Sequence, residues 1–177
     1  MWKHKILISK DQLEKRVAEI AATLSQDYRG QTLDIICILK GSFIFVSDLI
    51  RKIDIPVRVH FLQVSSYGTG SESSGTVNIH FSSAIDLQDK DVLLVEDVLD
   101  TGITLDYLMK HLREKNPRSL KVCILLHKPD RMKVEVIPDY TGFKIPDEFV
   151  IGYGLDFQEV GRNLNYVAVL DPAEYRR

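Results

Sequence analysis

Apolar runs and helical patterns alternate along the chain up to about residue 126. The continuous apolar, β-branched run at 92–95 and the largely apolar runs at 33–39 and 120–126 are typical of strands buried on both faces of a parallel sheet. Between these runs, apolar residues recur at helical spacing, first after the capping-box pair Ser9 and Gln12. This alternation predicts an α/β fold with a mostly parallel central sheet flanked by helices on both faces.

Short, irregular strands around glycines and prolines follow this alternation. They leave no room for a further helix–strand unit, so we expect them to cap the carboxyl edge of the sheet, where open α/β sheets bind ligands. The whole chain, 1–177, is predicted to be a single domain. Its core spans about 5–145, and about 146–177 form a small C-terminal hood together with the N-terminal segment.

The glycine-rich segment 65–75, SSYGTGSESSG, contains a GxG pattern. A dinucleotide-binding turn has to open a helix, whereas this segment leads into another strand-like run at 76–81. The segment is therefore predicted to be a mobile lid between two strands.

The segment Asp91–Leu105, DVLLVEDVLDTGITL, carries the strongest chemical signal. Its apolar strand is expected to end at Glu96 and Asp97, and an acidic loop, a Thr-Gly-x-Thr turn and a helix start are expected to follow. Backbone amides at the start of a helix attract an anion such as phosphate. Because the nearby carboxylates would repel a bare phosphate, the pattern favours a ligand that also carries hydroxyls or bound magnesium.

Composition excludes several other classes of protein. The net charge of −2, from 23 basic and 25 acidic residues, provides no broad field for nucleic acid or an anionic membrane. No signal sequence is visible, and no apolar run approaches the roughly 20 residues that span a bilayer. Cys37 and Cys123 each lie inside an apolar run, which indicates reduced core residues of a soluble, cytoplasmic protein. Because neither GxxxxGKS nor GxxxxGKT occurs, a P-loop is excluded.

The sequence VLLVEDVLDTGIT closely resembles the signature of type I phosphoribosyltransferases, which bind 5-phosphoribosyl-1-pyrophosphate. Four more motifs follow the same order and approximate spacing as in the branch of that family that acts on 6-oxopurines such as hypoxanthine and guanine. They are Leu39–Ser42, Ser65–Gly68, His127–Pro129 and the stretch from Phe149 to Asp156. The resemblance covers nearly the whole chain.

This resemblance implies a role for each motif. The acid pair Glu96 and Asp97 would hold the ribose hydroxyls, and the turn would hold the 5-phosphate through Thr101, Gly102, Ile103 and Thr104. Some members of the family have a lysine where this chain has Ile103, so phosphate binding would depend more on amides and threonine hydroxyls. Asp100 would accept the proton from nitrogen 7 of the purine as general base, which contributes typically about 10²–10⁴-fold. Alternatively, Asp100 caps the following helix.

The purine and pyrophosphate ends of the ligand have their own candidates. The resemblance implies that Lys128 contacts the 6-oxo group, that Phe149 stacks on the purine and that Val150 binds its edge through the backbone. Asp156 is a fourth candidate for purine binding. The alternatives are a solvated lysine and two core residues. The first candidates for pyrophosphate binding are Lys40 and Gly41, next to a Leu39–Lys40 bond that can be cis in this family. Ser66 and Tyr67 would close over the ligand. Arg162 pairs with pyrophosphate or with Asp156.

These roles predict a magnesium-dependent purine salvage enzyme. Magnesium would be bound by Asp156, with Glu96 and Asp97 as further candidates, and would keep several waters. The products would be a nucleoside monophosphate, IMP or GMP, and pyrophosphate. Relatives form homodimers or homotetramers, and the same is expected here. The main alternative is a regulatory module that senses the same ligand, because fold alone does not fix function.

Overall fold

The computed structural model describes residues 2–66, 77–81 and 85–175. Within these ranges the strands are β1 (His4–Ile8), β2 (Leu33–Leu39), β3 (Val57–Ser66), β4 (Val77–Phe81), β5 (Asp91–Leu99), β6 (Ser119–His127), β7 (Tyr140–Lys144), β8 (Val150–Ile151) and β9 (Val167–Leu170). The helices are α1 (Lys10–Asp27), α2 (Phe43–Ile50), α3 (Ile103–Arg113) and α4 (Pro172–Tyr175), with a 3₁₀ turn at Pro129–Arg131.

A six-stranded sheet in the order β4-β3-β2-β5-β6-β7 forms the centre of the fold. Every neighbouring pair in it is parallel except β3 and β4, which are antiparallel. Because the inner strands are parallel, their carboxyl ends meet at one edge of the sheet, and the loops that follow them can share a site.

Helices cover both faces of this sheet. On β2, Ile35 and Cys37 belong to one core cluster with α1 and α2, whereas Ile36 and Ile38 belong to a second cluster with α3. Strands buried on both faces require a largely apolar sequence, which the run at 33–39 provides; its one charged residue, the buried Asp34, pairs with Arg58 and His60. The prediction of an α/β fold with helices on both faces is therefore confirmed, and Cys37 is buried and free, as is Cys123.

A small antiparallel sheet joins the beginning and the end of the described chain. Its strand order is β1-β9-β8, so the first strand pairs with the last one. The backbone N–H of Asp171 continues this pairing by donating to the carbonyl of Lys3, at 2.9 Å. We call this element the small sheet.

Strand β5 is longer than the sequence indicated. The expectation that it ends at Glu96 and Asp97 is wrong, because β5 continues to Leu99 and Glu96 itself pairs with Ile124 of β6. The physical reason is the length of β6, whose nine residues provide ladder partners beyond the apolar run. The two acids are thus part of the strand, which fixes their backbone within a sheet and not in a loop.

The connection between β3 and β4 contains the predicted mobile lid. Ser66 is the last residue of β3, and its backbone pairs with Val77. Tyr67 and the rest of the predicted lid lie outside the described residues. No helix in the part of the chain that is described is long and apolar enough to cross a membrane.

Candidate active site

A cavity of about 440 Å³ lies at the carboxyl ends of β2 and β5. Besides two residues of β3, three parts of the chain that are far apart in sequence meet there: the loop after β2, the acidic end of β5 with the start of α3, and the connection between β8 and β9. The lining residues are Ile38, Leu39, Lys40, Gly41, Gln63, Val64, Glu96, Asp97, Thr104, Asp156, Glu159 and Arg162. Seven of them are candidates from the sequence: Lys40, Gly41, Glu96, Asp97, Thr104, Asp156 and Arg162.

The acid pair has unusual electrostatics. Burial, together with the neighbouring charge of Asp97, raises the pKa of Glu96 to about 8. Burial also raises the pKa of Asp97, although backbone N–H groups of Asp97 and Val98 and the charge of Arg162 act in the opposite direction. Two such carboxylates are stabilised by a ligand that donates hydrogen bonds or by a cation. The end of β5 is therefore suited to a polyhydroxylated ligand or a metal ion.

The loop after β2 lies very close to Asp97. The peptide bond between Leu39 and Lys40 is cis, as the resemblance to the family allows. A Cβ atom added at Gly41 would overlap the Asp97 carboxylate, so only glycine fits there without a shift. On its other side, the Gly41 carbonyl faces Gly154, which has φ of +105°. Two glycines thus allow three backbone segments to approach one another.

Four charged side chains form a network at one end of the cavity. Arg162 donates to Asp156 at 2.8 Å and to Glu159 at 3.3 Å, and Lys40 donates to Glu159 at 3.0 Å. Arg162 also donates to the carbonyl of Gly154 at 2.9 Å. The alternative that Arg162 pairs with Asp156 is therefore realised in this structure. Sequence reasoning missed Glu159, although its position three residues after Asp156 and three before Arg162 was a possible signal.

The turn between β5 and α3 has a backbone geometry suited to an anion. Gly102 is the N-cap of α3 with φ of +81°, and no side chain caps the helix. The alternative role of Asp100 as the helix cap is therefore wrong. The carbonyl of Thr101 accepts from the backbone N–H groups of Lys133 and Val134, at 2.9 and 3.1 Å, which holds the turn from behind. Ile103 is 40% exposed at the first position of the helix.

Asp100 has a partner that the sequence did not reveal. Arg131, from the 3₁₀ turn, donates through Nε to Asp100 at 2.8 Å, and it also contacts Asp147 at 3.5 Å. Arg131 therefore links Asp100, in the turn after β5, to the segment that leads into β8. Asp100 is not among the residues that line the cavity.

Of the candidates for purine binding, only Asp156 lines that cavity. Lys128 is 9% exposed, and its backbone N–H donates to the carbonyl of Leu99 at 3.0 Å. Phe149 is 36% exposed and stacks on Tyr175, with ring centroids 4.9 Å apart. Val150 is buried in β8. None of these three lines the cavity, so the structure brings together the candidates for the sugar and pyrophosphate more closely than those for the base.

The donor set is compatible with magnesium. Magnesium uses few carboxylates and retains several waters, so substrate oxygens complete its coordination. Among the described residues no three His, Cys, Asp or Glu side chains are arranged to hold a metal ion, so Glu96, Asp97 and Asp156 do not form a cage of protein ligands. Asp156 is nevertheless close enough to Asp97 to raise its pKa, and a cation near both would offset that repulsion.

The raised pKa of Glu96 leads to a prediction about stability. Because the pKa of Glu96 rises from 4.5 to about 8 on folding, the folded protein holds a proton between these values that the unfolded chain has lost. Stability should therefore fall as pH rises through this window. We expect the thermal midpoint of Glu96→Gln to fall less than that of the native protein as the pH is raised from about 5 to 9 in the absence of magnesium. The control is Glu14→Gln, which removes an exposed carboxylate that pairs with Lys10 on α1 and should retain the native pH dependence. An identical pH dependence in the two variants would contradict the assignment.

Comparison with known proteins identifies the class of fold and site. The family model described as a phosphoribosyl transferase domain matches residues 7–158. That range contains the loop after β2, the acidic end of β5 and Asp156, which are the three segments that meet at the cavity. The chain therefore belongs to the phosphoribosyltransferase family.

Curated relatives and a solved structure narrow this class. The hypoxanthine-guanine phosphoribosyltransferase of Mycobacterium bovis is 45% identical over 177 residues, which cover 97% of this chain and 88% of the relative. The one from Staphylococcus aureus strain Mu50 is 43% identical over 170 residues, which cover 96% and 95%. A crystal structure of such an enzyme from Bacillus anthracis has a TM-score of 0.90 at 42% identity, covering 97% of this chain and all of that one.

These relatives place the chain in the hypoxanthine-guanine branch of the family. The predictions of a transferase and of a role in purine salvage are thereby confirmed. The alternative of a regulatory module is not supported, because the relatives named are enzymes along nearly the full length of the chain.

Proposed function

We propose that this enzyme transfers the 5-phosphoribosyl group from phosphoribosyl pyrophosphate to hypoxanthine, and to guanine, giving IMP or GMP and pyrophosphate. The observation that carries the proposal is the convergence of seven residues, chosen from the sequence, on one cavity at the carboxyl edge of the sheet. In this proposal the whole chain acts as one phosphoribosyltransferase domain, and the small sheet with α4 serves as its hood.

The cavity would bind the sugar and the two phosphate groups. Glu96 and Asp97 would accept hydrogen bonds from the ribose hydroxyls. The raised pKa of both neighbouring carboxyl groups supports this, because a hydroxyl can donate to a carboxylate and accept from a carboxylic acid. The 5-phosphate would bind at the turn Thr101–Thr104, where α3 begins at a glycine without a side-chain cap. Lys40, Gly41 and Arg162 would hold the pyrophosphate, with Ser66 and Tyr67 closing over it.

Magnesium would be held by Asp156, with Glu96 and Asp97 in support, and substrate oxygens would complete the site. When bound, it would neutralise charge on the departing pyrophosphate. The protein's own residues would act in other ways. Arg162 would orient Asp156, and the Gly41 backbone would allow the pyrophosphate to approach the strand end. Enclosure by the loop after β3 would exclude water, which otherwise captures an activated sugar.

The base would bind between the end of β6 and the hood. Lys128 would donate to the 6-oxo group, Phe149 would stack on the ring and Val150 would bind the ring edge through its backbone. Asp100 would accept the proton from nitrogen 7 as the bond to the sugar forms. Support for these roles comes from their order along the chain and from the 9% exposure of Lys128, which is unusually low for a lysine.

A direct assay tests the proposed reaction. We expect turnover of hypoxanthine and guanine with phosphoribosyl pyrophosphate and magnesium, followed spectrophotometrically, with xanthine and adenine as comparison bases. Lys128→Met should lower kcat/KM for hypoxanthine about 10–100-fold, because a hydrogen bond from a charged donor is worth about 1.5–3 kcal/mol. The matched control is Lys133→Met, which replaces an exposed lysine five residues further along the chain and should leave kcat/KM near the native value. Unchanged kcat/KM in Lys128→Met, or preferred turnover of adenine, would contradict the assignment.

We infer in addition that the enzyme works in the cytoplasm as a homodimer or homotetramer. The two cysteines are free and buried, which suits a reducing compartment. The mass of the native enzyme in solution, measured by light scattering after gel filtration, distinguishes the two assemblies from a monomer.

A further inference from the structure

Glu159 contacts both cations of the proposed pyrophosphate end. Its Oε2 atom lies 3.0 Å from Nζ of Lys40 and 3.3 Å from a guanidinium nitrogen of Arg162. Lys40 follows β2 and Arg162 lies more than a hundred residues later, so the carboxylate joins two separate walls of the cavity. A single anionic group therefore lies between the two positive groups that a pyrophosphate would use.

The backbone holds Glu159 at this place. Phe157 and Val160 exchange two backbone hydrogen bonds, of 3.0 and 3.1 Å, and the two residues between them, Gln158 and Glu159, have φ of +52° and +64°. These values describe the tight two-residue turn of a hairpin, a type that usually contains Asn or Gly. The N–H of Glu159 also donates to Asp156 at 2.8 Å. The carboxylate is thus presented from a fixed turn, although the side chain itself is 67% exposed.

We propose that Glu159 competes with pyrophosphate for Lys40 and Arg162, and so weakens the binding of the pyrophosphate group. An incoming pyrophosphate oxygen and the Glu159 carboxylate require the same donors, and two anions at one site repel each other. Pyrophosphate binding therefore needs Glu159 to leave both cations. When pyrophosphate departs, the carboxylate returns to them, which favours release of this product.

The inference deepens the proposed function and rests on its assignment of Lys40 and Arg162. It predicts that removing the negative charge of Glu159 tightens pyrophosphate binding. Because Lys40 and Glu159 are largely exposed and therefore screened, whereas the Arg162 side chain is 19% exposed, the expected effect is about three- to tenfold. It should shrink when the ionic strength is raised, since the competing interaction is electrostatic.

Isothermal titration of the enzyme with inorganic pyrophosphate in the presence of magnesium tests the proposal. Glu159→Gln keeps the size of the side chain and removes its charge, and it should lower the Kd for pyrophosphate by the stated factor. Glu159→Gly, which also suits a positive φ, should do the same, so a folding defect in one variant does not remove the test. The control is Glu19→Gln, which breaks a Glu–Arg pair with Arg16 on the surface of α1 and should leave the Kd unchanged.

The possible outcomes separate this inference from the proposed function. An unchanged or higher Kd in both Glu159 variants, while Arg162→Gln binds pyrophosphate more weakly, would overturn the inference and leave the function intact. If Arg162→Gln binds pyrophosphate as tightly as the native enzyme, the assignment of the pyrophosphate end is wrong and the inference falls with it. Tighter binding in the Glu159 variants together with weaker binding in Arg162→Gln supports both.

Discussion

Replacing Asp100 with asparagine is expected to lower the turnover of hypoxanthine by about 10²–10⁴-fold, the range that a general base contributes. The substitution keeps the shape of the side chain and leaves an oxygen that can accept from Nε of Arg131, now 2.8 Å from the carboxylate. What it removes is the ability to take a proton from the purine. The loss should therefore appear in kcat, whereas the thermal midpoint should change little.

Asp106→Asn is the matched control for this experiment. Asp106 lies in the first turn of α3, six residues after Asp100. It pairs with Lys110, whereas Asp100 pairs with Arg131. Steady-state kinetics at saturating phosphoribosyl pyrophosphate should show nearly native kcat for this control. If kcat of Asp100→Asn also stays within a factor of a few of the native value, another group accepts the proton.

Gly154→Ala is expected to lower kcat/KM for phosphoribosyl pyrophosphate by about a hundredfold, the size of effect that a displacement of about 1 Å in a site can cause. A Cβ atom at this position would overlap the carbonyl of Gly41, and the φ of +105° is a conformation that alanine rarely adopts. The loop after β2 would have to move, and it carries Lys40 into the cavity. Activity and stability should therefore fall together.

Gly30→Ala separates the two causes of this effect. Gly30 also has a positive φ, of +75°, but no atom lies within 4 Å of the added Cβ. This variant should lose stability, by about 1–2 kcal/mol for a left-handed alanine, and keep its kcat/KM. Chemical denaturation and initial-rate measurements on both variants give the comparison. Native kcat/KM in Gly154→Ala would show that the loop does not need its present contact with the connection between β8 and β9.

The sequence predicted the centre of the fold well because burial leaves a direct trace in the chain. A strand covered on both faces must be largely apolar, as in the runs at 33–39 and 120–126, in which Asp34 and Lys121 are the only charged residues. The end of β5 was predicted wrongly because Glu96 and Asp97 break that pattern while their backbone still pairs with β6. Strand length depends on the neighbouring strand, and the apolar pattern of one segment does not record it.

The site shows a similar division. Residues carried by motifs, such as Asp97 and Asp156, were found, and the structure places them around one cavity. Glu159 and Arg131 were missed because their importance comes from partners 119 and 31 residues away, namely Lys40 and Asp100. Such pairs depend on the three-dimensional approach of segments; the spacing of Glu159 from Asp156 and Arg162 was a possible local signal for that residue, but it does not indicate the distant partner Lys40.

The pairing of β1 with β9 also bears on how the enzyme is made. Lys5 of β1 has Val169 of β9 as its ladder partner, so β1 leaves the ribosome well before the strand with which it pairs. The central sheet can assemble earlier, because its parallel strands are complete by residue 144. Each newly made molecule therefore passes through a stage in which the turn between β5 and α3 exists but the strand that completes the small sheet has not yet been synthesised.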